Sequence, residues 1–203
     1  MPDETKPYHR GSLRADLISA AVREVEAVGA AGVSLREVAR KAEVSHAAPT
    51  HHFTDKTGLF TAIATEGFRM SAEAIRPLAY GTYGFLDGGA AYVLWALEHP
   101  GYFEVMYRPG LYRSEDPDLV EAKQAAFDVL EGSAADLASH WGIDDVPGLV
   151  LAGWSLCHGL ATLTLAGNLE GRVSPDLGGL SAQLERGLAA LGRVVETRLP
   201  DRS

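Results

Sequence analysis

The fold is decided by residues 34–60, which read SLREVARKAEVSHAAPTHHFTDKTGLF. Ser34 and Glu37 have the S-x-x-E spacing of a capping box, in which two side chains close the first turn of a helix by binding its free amides. Valines lie on either side of this box, in the positions of a hydrophobic staple. The pattern predicts a helix that begins at Ser34 and runs to about Lys41.

A second short helix is predicted soon after the first. Ala42, Glu43 and Val44 have the composition of a tight break, and Ser45 is expected to cap a helix that ends near Phe53. Two short helices separated by three residues are the minimal helix-turn-helix, whose second helix enters the major groove of DNA, roughly 12 Å wide. An ordinary helical hairpin has the same periodicity, so periodicity alone leaves both interpretations open.

The rest of the chain also predicts helices. Apolar residues recur at intervals of three and four almost throughout, and no alternating run bounded by a two-residue turn indicates a strand. A first helix is expected to end at Gly29 and Gly32, and a fourth to begin at Thr54 or Asp55 and stop at Pro77. A glycine-rich patch is expected to loosen the chain after it. The later predicted helices lie at about residues 92–99, 102–107, 118–140, 146–168 and 175–199.

Composition limits the classes of function. The chain has 203 residues, 46% of them hydrophobic, so it can bury a core, and its single cysteine excludes an internal disulfide. The first residues are polar and lack the apolar core of a signal peptide, so we expect a cytoplasmic protein. The net charge is −9, yet residues 1–56 carry eight basic and eight acidic residues, so the excess of acid lies in the remainder. This arrangement permits DNA binding by the N-terminal part alone.

Residues 34–60 resemble the DNA-binding domain of the TetR family of bacterial transcription regulators. The family pattern is S/T-x-x-x-[VI]-A-x-x-A-x-V-S, followed by an aromatic-x-H-F and then K-x-x-L-[FL]. The resemblance extends from about Tyr8 to Met70. It implies an all-α protein with a three-helix helix-turn-helix domain at residues 8–56 and a larger ligand-binding and dimerisation domain at residues 57–203. The matching residues are Ser34, Val38, Ala39, Ala42, Val44, Ser45, His52, Phe53, Lys56, Leu59 and Phe60.

The resemblance implies roles for individual residues. Ser34 and Lys56 are expected to bind DNA phosphates, and Arg36 to contact a phosphate or a base edge. Histidine in the groove can donate to guanine O6 or N7, and alanine can contact a thymine methyl group. His52 either binds a phosphate or braces the domain. The predicted DNA-binding residues are Ser34, Arg36, Ser45, His46, Ala47, Thr50, His51, His52 and Lys56.

Two residues of the recognition helix are unusual. Thr50 stands where the family usually has Tyr, so stacking against the sugar backbone is lost, although a hydroxyl that can donate to a phosphate remains. Pro49 is expected at about the fourth position of this helix, where it removes one backbone donor and stiffens the helix.

The C-terminal part resembles one branch of the same family. Residues 154–159 read WSLCHG and are similar to the W-x-x-x-H-G element of that branch's ligand domain, and residues 99–103, HPGYF, resemble another part of it. Trp154 and His158 lie four apart on one helix face, so they either form a core pair or line a pocket together. The predicted effector-binding residues are Trp95, Tyr102, Phe103, Met106, Tyr107, Phe127, Leu130, Trp154 and His158.

The resemblance also implies a homodimer. Two recognition helices about 34 Å apart fit successive major grooves of a palindromic operator. Residues 148–167 contain no charged residue and are long enough to span a membrane. A helix at a dimer interface explains the same composition, so we predict that the last two helices form the dimer and that no membrane is involved.

Enzymatic motifs are missing from the sequence. It has no glycine-rich phosphate loop after a strand, no H-E-x-x-H and no paired cysteines, and the adjacent residues Cys157 and His158 point about 100° apart on a helix. No catalytic residue, cofactor or metal is expected. The sequence predicts a transcription regulator, most simply a repressor that a small-molecule effector releases from double-stranded operator DNA. A helical binding protein with a vestigial DNA-binding head and an enzyme on a helical bundle remain as alternatives.

Overall fold

The computed structural model describes residues 10–198, and within them the chain forms nine α-helices and no strand. The predicted all-α class is confirmed. Tyr8, where the predicted first domain begins, and Leu199, where the last helix was expected to end, lie outside the described residues. Short 3₁₀ turns occupy Arg76–Leu78 and Pro109–Leu111. The helices are α1 (Arg10–Gly32), α2 (Leu35–Lys41), α3 (Ala48–Phe53), α4 (Lys56–Ile75), α5 (Gly84–Glu98), α6 (Pro100–Met106), α7 (Pro117–Trp141), α8 (Val146–Leu165) and α9 (Leu177–Arg198).

The first helix breaks near its end. Gly29 has a φ of +71°, a left-handed conformation that residues with a Cβ rarely adopt, and the helix ends at Gly32, as predicted. The amide of Ala30, just after the break, donates to the carboxylate of Glu104 at 3.0 Å. The amide at the break is therefore satisfied by a side chain from a distant part of the sequence.

The second helix begins where the sequence predicts. Ser34 is its N-cap, and the Ser34 hydroxyl accepts a hydrogen bond from the Glu37 amide at 3.2 Å. The Glu37 carboxylate, expected to reach back to the Ser34 amide, instead binds the guanidinium of Arg40 at 2.6 Å. An ion-paired hydrogen bond to a neighbour one turn away is stronger than a bond to a neutral amide. Only one half of the predicted capping box is therefore observed.

The predicted cap and start of the third helix are wrong. α3 begins at Ala48 instead of directly after Ser45, so six residues, not three, separate it from α2. Glu43 adopts a left-handed φ of +56°, and the Ser45 carbonyl accepts a hydrogen bond from the Ala48 amide within a turn. Pro49 explains the shift, because its ring fits the first turn of a helix, where no amide donor is needed. Pro49 consequently removes no helical hydrogen bond, contrary to the expectation for a fourth position.

The glycine-rich patch loosens the chain only at Gly81, which lies in a turn with a φ of +92°, whereas its other glycines lie within α5. Gly84 and Gly88 lie within α5, and a Cβ on Gly84 would lie 2.6 Å from the backbone carbonyl carbon of Ala79. A Cβ on Gly89 would lie 2.9 Å from Sγ of Cys157. These glycines permit a close approach of neighbouring segments, which composition alone does not distinguish from a loop.

The chain folds into two compact units, each formed from two stretches of sequence. The first unit holds the described residues up to Arg69 together with His99–Lys123, and so contains α1–α3, most of α4, α6 and the start of α7. α6 packs closely on α1, since a Cβ on Gly101 would lie 2.8 Å from the carbonyl oxygen of Val22. The predicted functional division after residue 56 stays a prediction.

The second unit holds Met70–Glu98 and the described residues from Gln124 onward. Within it α5 packs against both α8 and α9, and Leu180 of α9 is fully buried. Among the described residues α8 is the one helix long and apolar enough to cross a membrane, with a mean hydropathy of 1.4 and 17% of that stretch buried. Length and composition are weak evidence for a membrane span, because an apolar helix face that contacts another protein chain has the same properties.

Candidate DNA interface and effector-binding residues

A small core holds the two helices of the helix-turn-helix. Val38 and Ala39 of α2 are fully buried, and Phe53 at the end of α3 is 5% exposed. The Val44 amide donates to the Ala39 carbonyl at 3.0 Å, which ties the connecting turn to the end of α2. A small side chain such as that of Ala39 leaves room for the chain to return at this point.

The short helix α3 presents one exposed face. Pro49 and Phe53 form its buried side. Helical residues three and four apart share a face, so the positions between these two point away from the core. Apart from His52, the residues predicted to contact DNA from α3 and from the turn before it lie on exposed surface. They are Ser45, His46, Ala47, Thr50 and His51.

His52 lies between this exposed face and the core. It is half-buried, and its ring centroid lies 5.5 Å from that of His51 and 6.2 Å from that of Phe53. These ring contacts are typical of a residue that supports its neighbours, which is one of the two roles expected for His52.

Ser34 and Lys56, the predicted phosphate ligands, also hold helices in place. The Ser34 hydroxyl caps α2 and can still donate its own hydrogen. The Lys56 ammonium donates to the Ala31 carbonyl at 3.0 Å and lies 5.4 Å from the ring centroid of Phe60, so it joins the start of α4 to the end of α1. An ammonium has three donors, so a phosphate contact remains compatible with this bond.

The basic side chains of α2 differ in their partners. Arg40 binds Glu37, and this hydrogen bond lowers the pKa of the Glu37 carboxyl. Lys41 forms an ion pair with the buried carboxylate of Glu24 on α1. Arg36 is exposed, and among the described residues no carboxylate pairs with it. Arg36 is therefore the exposed cation of α2 that is not held in one of these ion pairs, and its predicted DNA contact stays a prediction.

Four of the predicted effector-binding residues lie in the first unit, three of them on α6 and Tyr107 directly after it. The Tyr102 hydroxyl donates to the Glu66 carboxylate at 2.5 Å, and burial together with this bond raises the pKa of Tyr102. The Tyr107 ring centroid lies 5.8 Å from that of Phe68 on α4. Side chains of this set thus have partners within the first unit. The four residues are Tyr102, Phe103, Met106 and Tyr107.

The other five predicted effector-binding residues lie in the second unit, where three aromatic rings form a connected cluster. The Trp154 ring centroid lies 6.3 Å from that of His158 and 6.3 Å from that of Phe127. His158 Nδ1 lies 2.9 Å from the Tyr92 hydroxyl. Burial lowers the pKa of His158 and so favours its neutral ring. The five residues are Trp95, Phe127, Leu130, Trp154 and His158.

The sequence-based prediction of this cluster missed Tyr92. It lies on α5, three residues before Trp95, and its partner His158 is 66 positions away. A tyrosine within an apolar helix needs a hydrogen-bond partner for its hydroxyl, and this need could have identified Tyr92 as a candidate. The local pattern does not say which distant residue meets it.

The described residues give little support to a metal site or to a reactive cysteine. Within them, no group of three or more His, Cys, Asp or Glu side chains could hold a metal ion. Cys157 is 8% exposed, and burial raises the pKa of its thiol to about 11. The thiol is therefore protonated at neutral pH, which makes it a packing group and a poor nucleophile.

Two protein-family models match the chain in adjacent regions. Residues 17–63 match the bacterial regulatory proteins of the tetR family, and residues 85–191 match the tetracyclin repressor-like C-terminal domain. No curated protein matches the chain. The two matched regions include the helix-turn-helix and the aromatic cluster described above.

Solved structures with the same fold cover nearly the whole chain. A protein with unknown function from Rhodococcus sp. RHA1 is 33% identical, with a TM-score of 0.72, over 90% of this chain and 98% of that one. A bacterial regulatory protein in the tetR family from Rhodococcus RHA1 shares the fold at 20% identity and a TM-score of 0.68, over 87% and 95% of the two chains. NalD, the secondary repressor of the MexAB-OprM multidrug efflux pump in Pseudomonas aeruginosa, shares it at 18% identity and a TM-score of 0.59, over 90% and 97%.

The helix-turn-helix and the matched helical domain define a DNA-binding transcription regulator. The chain belongs to the TetR family. Members of this family are regulators and not enzymes; they bind operator DNA, dimerise and respond to small-molecule effectors.

Proposed function

We propose that this regulator is a repressor that leaves a palindromic operator when a small molecule binds to its C-terminal part. The observation that carries the proposal is the exposed face of α3. Ala47, Thr50 and His51 share this face, while Pro49 and Phe53 attach the helix to the core. A short helix attached on one side and free on the other can lie in a major groove.

We assign base recognition mainly to the exposed face of α3, and most of the phosphate binding to the residues around it. His46 and His51 donate to guanine O6 or N7, Ala47 contacts a thymine methyl group, and Thr50 donates to a phosphate. None of these side chains carries a fixed positive charge, so most of the attraction to the DNA backbone comes from elsewhere. Phosphate contacts are assigned to Ser34, Arg36, Ser45 and Lys56, and the bracing role to His52.

We further propose that two copies associate through α8 and α9. Leu151 and Leu165 of α8 are 66% and 39% exposed, and Leu188 and Leu191, three apart on α9, are 37% and 60% exposed. Burial of apolar surface is favourable by about 25 cal/mol per Å². A second copy with the same faces would cover these side chains in a two-fold bundle and would place two α3 helices for one palindrome.

The dimer is tested by sedimentation velocity on the wild-type protein and on Leu191→Glu. We expect the wild type to sediment as a dimer and the variant to shift towards the monomer, because a carboxylate in an apolar interface is costly to desolvate. Glu185→Gln, on an exposed position of the same helix, is the control. A monomeric wild type at micromolar concentration would contradict the proposed interface.

The effector site is proposed at the aromatic cluster of the second unit. Trp154 and His158 belong to the W-x-x-x-H-G element, and Phe127 and Tyr92 adjoin them. A neutral histidine offers one donor and one acceptor, and the aromatic rings offer apolar surface. The cluster therefore suits a largely apolar effector with one polar group. Trp95 and Leu130 in the second unit, and the predicted residues on and directly after α6 in the first unit, stay predicted effector-binding residues.

The remaining assignments follow from this function. Residues 8–56 read DNA, and residues 57–203 bind the effector and dimerise. The protein acts in the cytoplasm, on the nucleoid when it is bound to DNA. The apolar composition of α8 is explained by the dimer and requires no membrane.

Footprinting on the DNA beside its own gene tests the proposal. The wild-type protein should protect a palindromic site, and its Kd should rise by orders of magnitude with salt, because phosphate contacts release counterions. His51→Ala is expected to cost about 1–3 kcal/mol and to relax discrimination at one base pair. Arg36→Ala is expected to weaken all sequences alike and to reduce the salt slope by about one.

Arg172→Ala provides the matched control, because it removes the same charge from an exposed position in the second unit. Its operator affinity should equal that of the wild type within about twofold. A wild-type protein that shows no sequence-selective binding at any salt concentration would instead support the vestigial head and would overturn the proposal.

A further inference from the structure

The segment after α6, residues 108–116, is attached to the start of α4. The Arg113 guanidinium donates to the Asp55 carboxylate at 2.7 Å, and the Arg113 amide donates to the Thr61 hydroxyl at 3.0 Å. Asp55 precedes the first turn of α4, and Thr61 lies within its second turn. Arg113 therefore contacts α4 through both its side chain and its main chain.

The turn that Arg113 contacts determines how α3 leaves the helix-turn-helix. Thr54, directly after the last residue of α3, has a φ of +70°. This left-handed conformation is unfavourable for a residue with a branched Cβ and persists where the surroundings hold it. Asp55 holds it from two sides, since one carboxylate oxygen accepts from the Gly58 amide at 2.7 Å while the other binds Arg113.

Gly58 allows both Arg113 and the end of α3 to approach the first turn of α4. A Cβ at this position would lie 2.7 Å from the Arg113 guanidinium and 2.0 Å from the carbonyl oxygen of Phe53. Phe53 is the last residue of α3 and part of the helix-turn-helix core. The guanidinium and the end of the recognition helix thus both lie against Gly58 in the first turn of α4.

The same segment is fixed at its other end to α6. The buried Tyr112 hydroxyl donates to the Met106 carbonyl at 2.9 Å. Met106 is 1% exposed, and its sulfur packs where a Cβ on Gly67 of α4 would lie. A continuous set of contacts therefore leads from the end of α6 through Tyr112 and Arg113 to the turn after α3.

We propose that Arg113 is a positioning residue for operator binding, and that residues 108–116 regulate operator affinity from outside the helix-turn-helix. By holding Asp55, Arg113 keeps the strained turn closed and α3 in its DNA-binding orientation. An exposed ion pair alone contributes little to stability. Here it acts together with a main-chain hydrogen bond on a turn that is otherwise unfavourable. The role rests on the function proposed above, because it concerns the same recognition helix.

The test measures the binding of Arg113→Gln to a duplex that the wild-type protein has selected from a random-sequence library. We expect the Kd to rise about three- to tenfold at fixed salt, as for the loss of a modest ion pair coupled to binding. The slope of log Kd against log salt should stay unchanged, because Arg113 positions α3 and does not bind a phosphate. Arg113→Lys should recover part of the loss, since the charge remains near Asp55.

Two comparisons separate positioning from a general loss of charge or stability. Arg69→Gln is the control, because Arg69 is exposed to a similar degree, 50% against 45%, and pairs with Asp118, away from the turn. In an Asp55→Asn background, Arg113→Gln should have no further effect on the Kd. Hydrogen exchange of the Gly58 amide should become faster in Arg113→Gln while thermal unfolding of the whole protein changes little.

Each outcome decides for or against the role of Arg113. A Kd equal to that of Arg69→Gln would overturn it, and so would a salt slope reduced by about one, which would mark Arg113 as a phosphate ligand. If the wild-type protein selects no duplex, the proposed DNA reading fails and the role of Arg113 fails with it. If the wild type selects a duplex and Arg113→Gln binds it equally well, only the role of Arg113 is wrong.

Discussion

Replacement of Gly58 by alanine tests whether the turn after the recognition helix has room for a side chain. The new Cβ would lie 2.0 Å from the Phe53 carbonyl oxygen and 2.7 Å from the Arg113 guanidinium. The Arg113 side chain can move, but the carbonyl belongs to the main chain, so the backbone itself must shift. Overpacking typically costs about 1–3 kcal/mol, and a contact with backbone belongs at the upper end of this range. The higher helix propensity of alanine offsets up to about 1 kcal/mol.

We therefore expect Gly58→Ala to lower the free energy of unfolding by about 2 kcal/mol, which corresponds to a fall in Tm of about 4–8 °C for a chain of this size. Circular dichroism at one fixed protein concentration measures this, since unfolding of a dimer depends on concentration. Gly110→Ala is the matched control, because no atom lies within 4 Å of a Cβ there, and it should change stability by less than about 0.5 kcal/mol. Equal Tm values for the two variants would refute this description of the turn.

The second unit permits two further predictions. Because burial lowers the pKa of His158, the unfolded state binds its proton more readily, so stability should fall as the pH drops below about 6.5. His158→Gln should flatten the Tm profile between about pH 7 and pH 5, and an unchanged profile would assign that pH dependence to other groups. Cys157, with a pKa of about 11, should react with iodoacetamide at pH 8 only as the protein unfolds, and rapid labelling of the folded protein would contradict its burial.

Local rules were sufficient for the parts of the fold that depend on near neighbours. Ser34 caps α2 because its hydroxyl is next to a free amide three residues later, a relation contained in the sequence itself. The break at Gly29 and the end of α3 at Phe53 were likewise predicted from residue type and spacing. The existence of the helix-turn-helix could therefore be predicted from the sequence.

The start of α3 could not be predicted, because two local signals compete there. Ser45 is a good N-cap by type, whereas Pro49 is best placed in a first turn. In the structure Pro49 lies in the first turn of α3, and the Ser45 carbonyl accepts a hydrogen bond in a separate turn before this helix. Glu37 shows the same ambiguity, since its carboxylate had two possible partners and binds Arg40.

Contacts between distant residues could not be predicted from the sequence, for a different reason. Tyr92 and His158 are 66 positions apart, and Asp55 and Arg113 are 58 positions apart. Each of these side chains needs a partner, but the chain contains many residues of a suitable type. Which of them lies close enough to bind depends on the fold of the whole chain. The sequence therefore predicted which residues share a helix face in the candidate sites. It did not predict the hydrogen bonds and ion pairs that hold these residues in place.

Each unit is built from two separate stretches of sequence, and this limits how operator preference can be transferred from one family member to another. α6 returns to cover α1, where Gly101 lies against the Val22 carbonyl and Glu104 accepts a bond from the Ala30 amide. A fragment cut after α4 would lose this cover and expose the apolar side of α1 to water. A hybrid regulator built from two family members needs three crossover points to keep each packed assembly whole, whereas substitutions confined to the outer face of α3 need none.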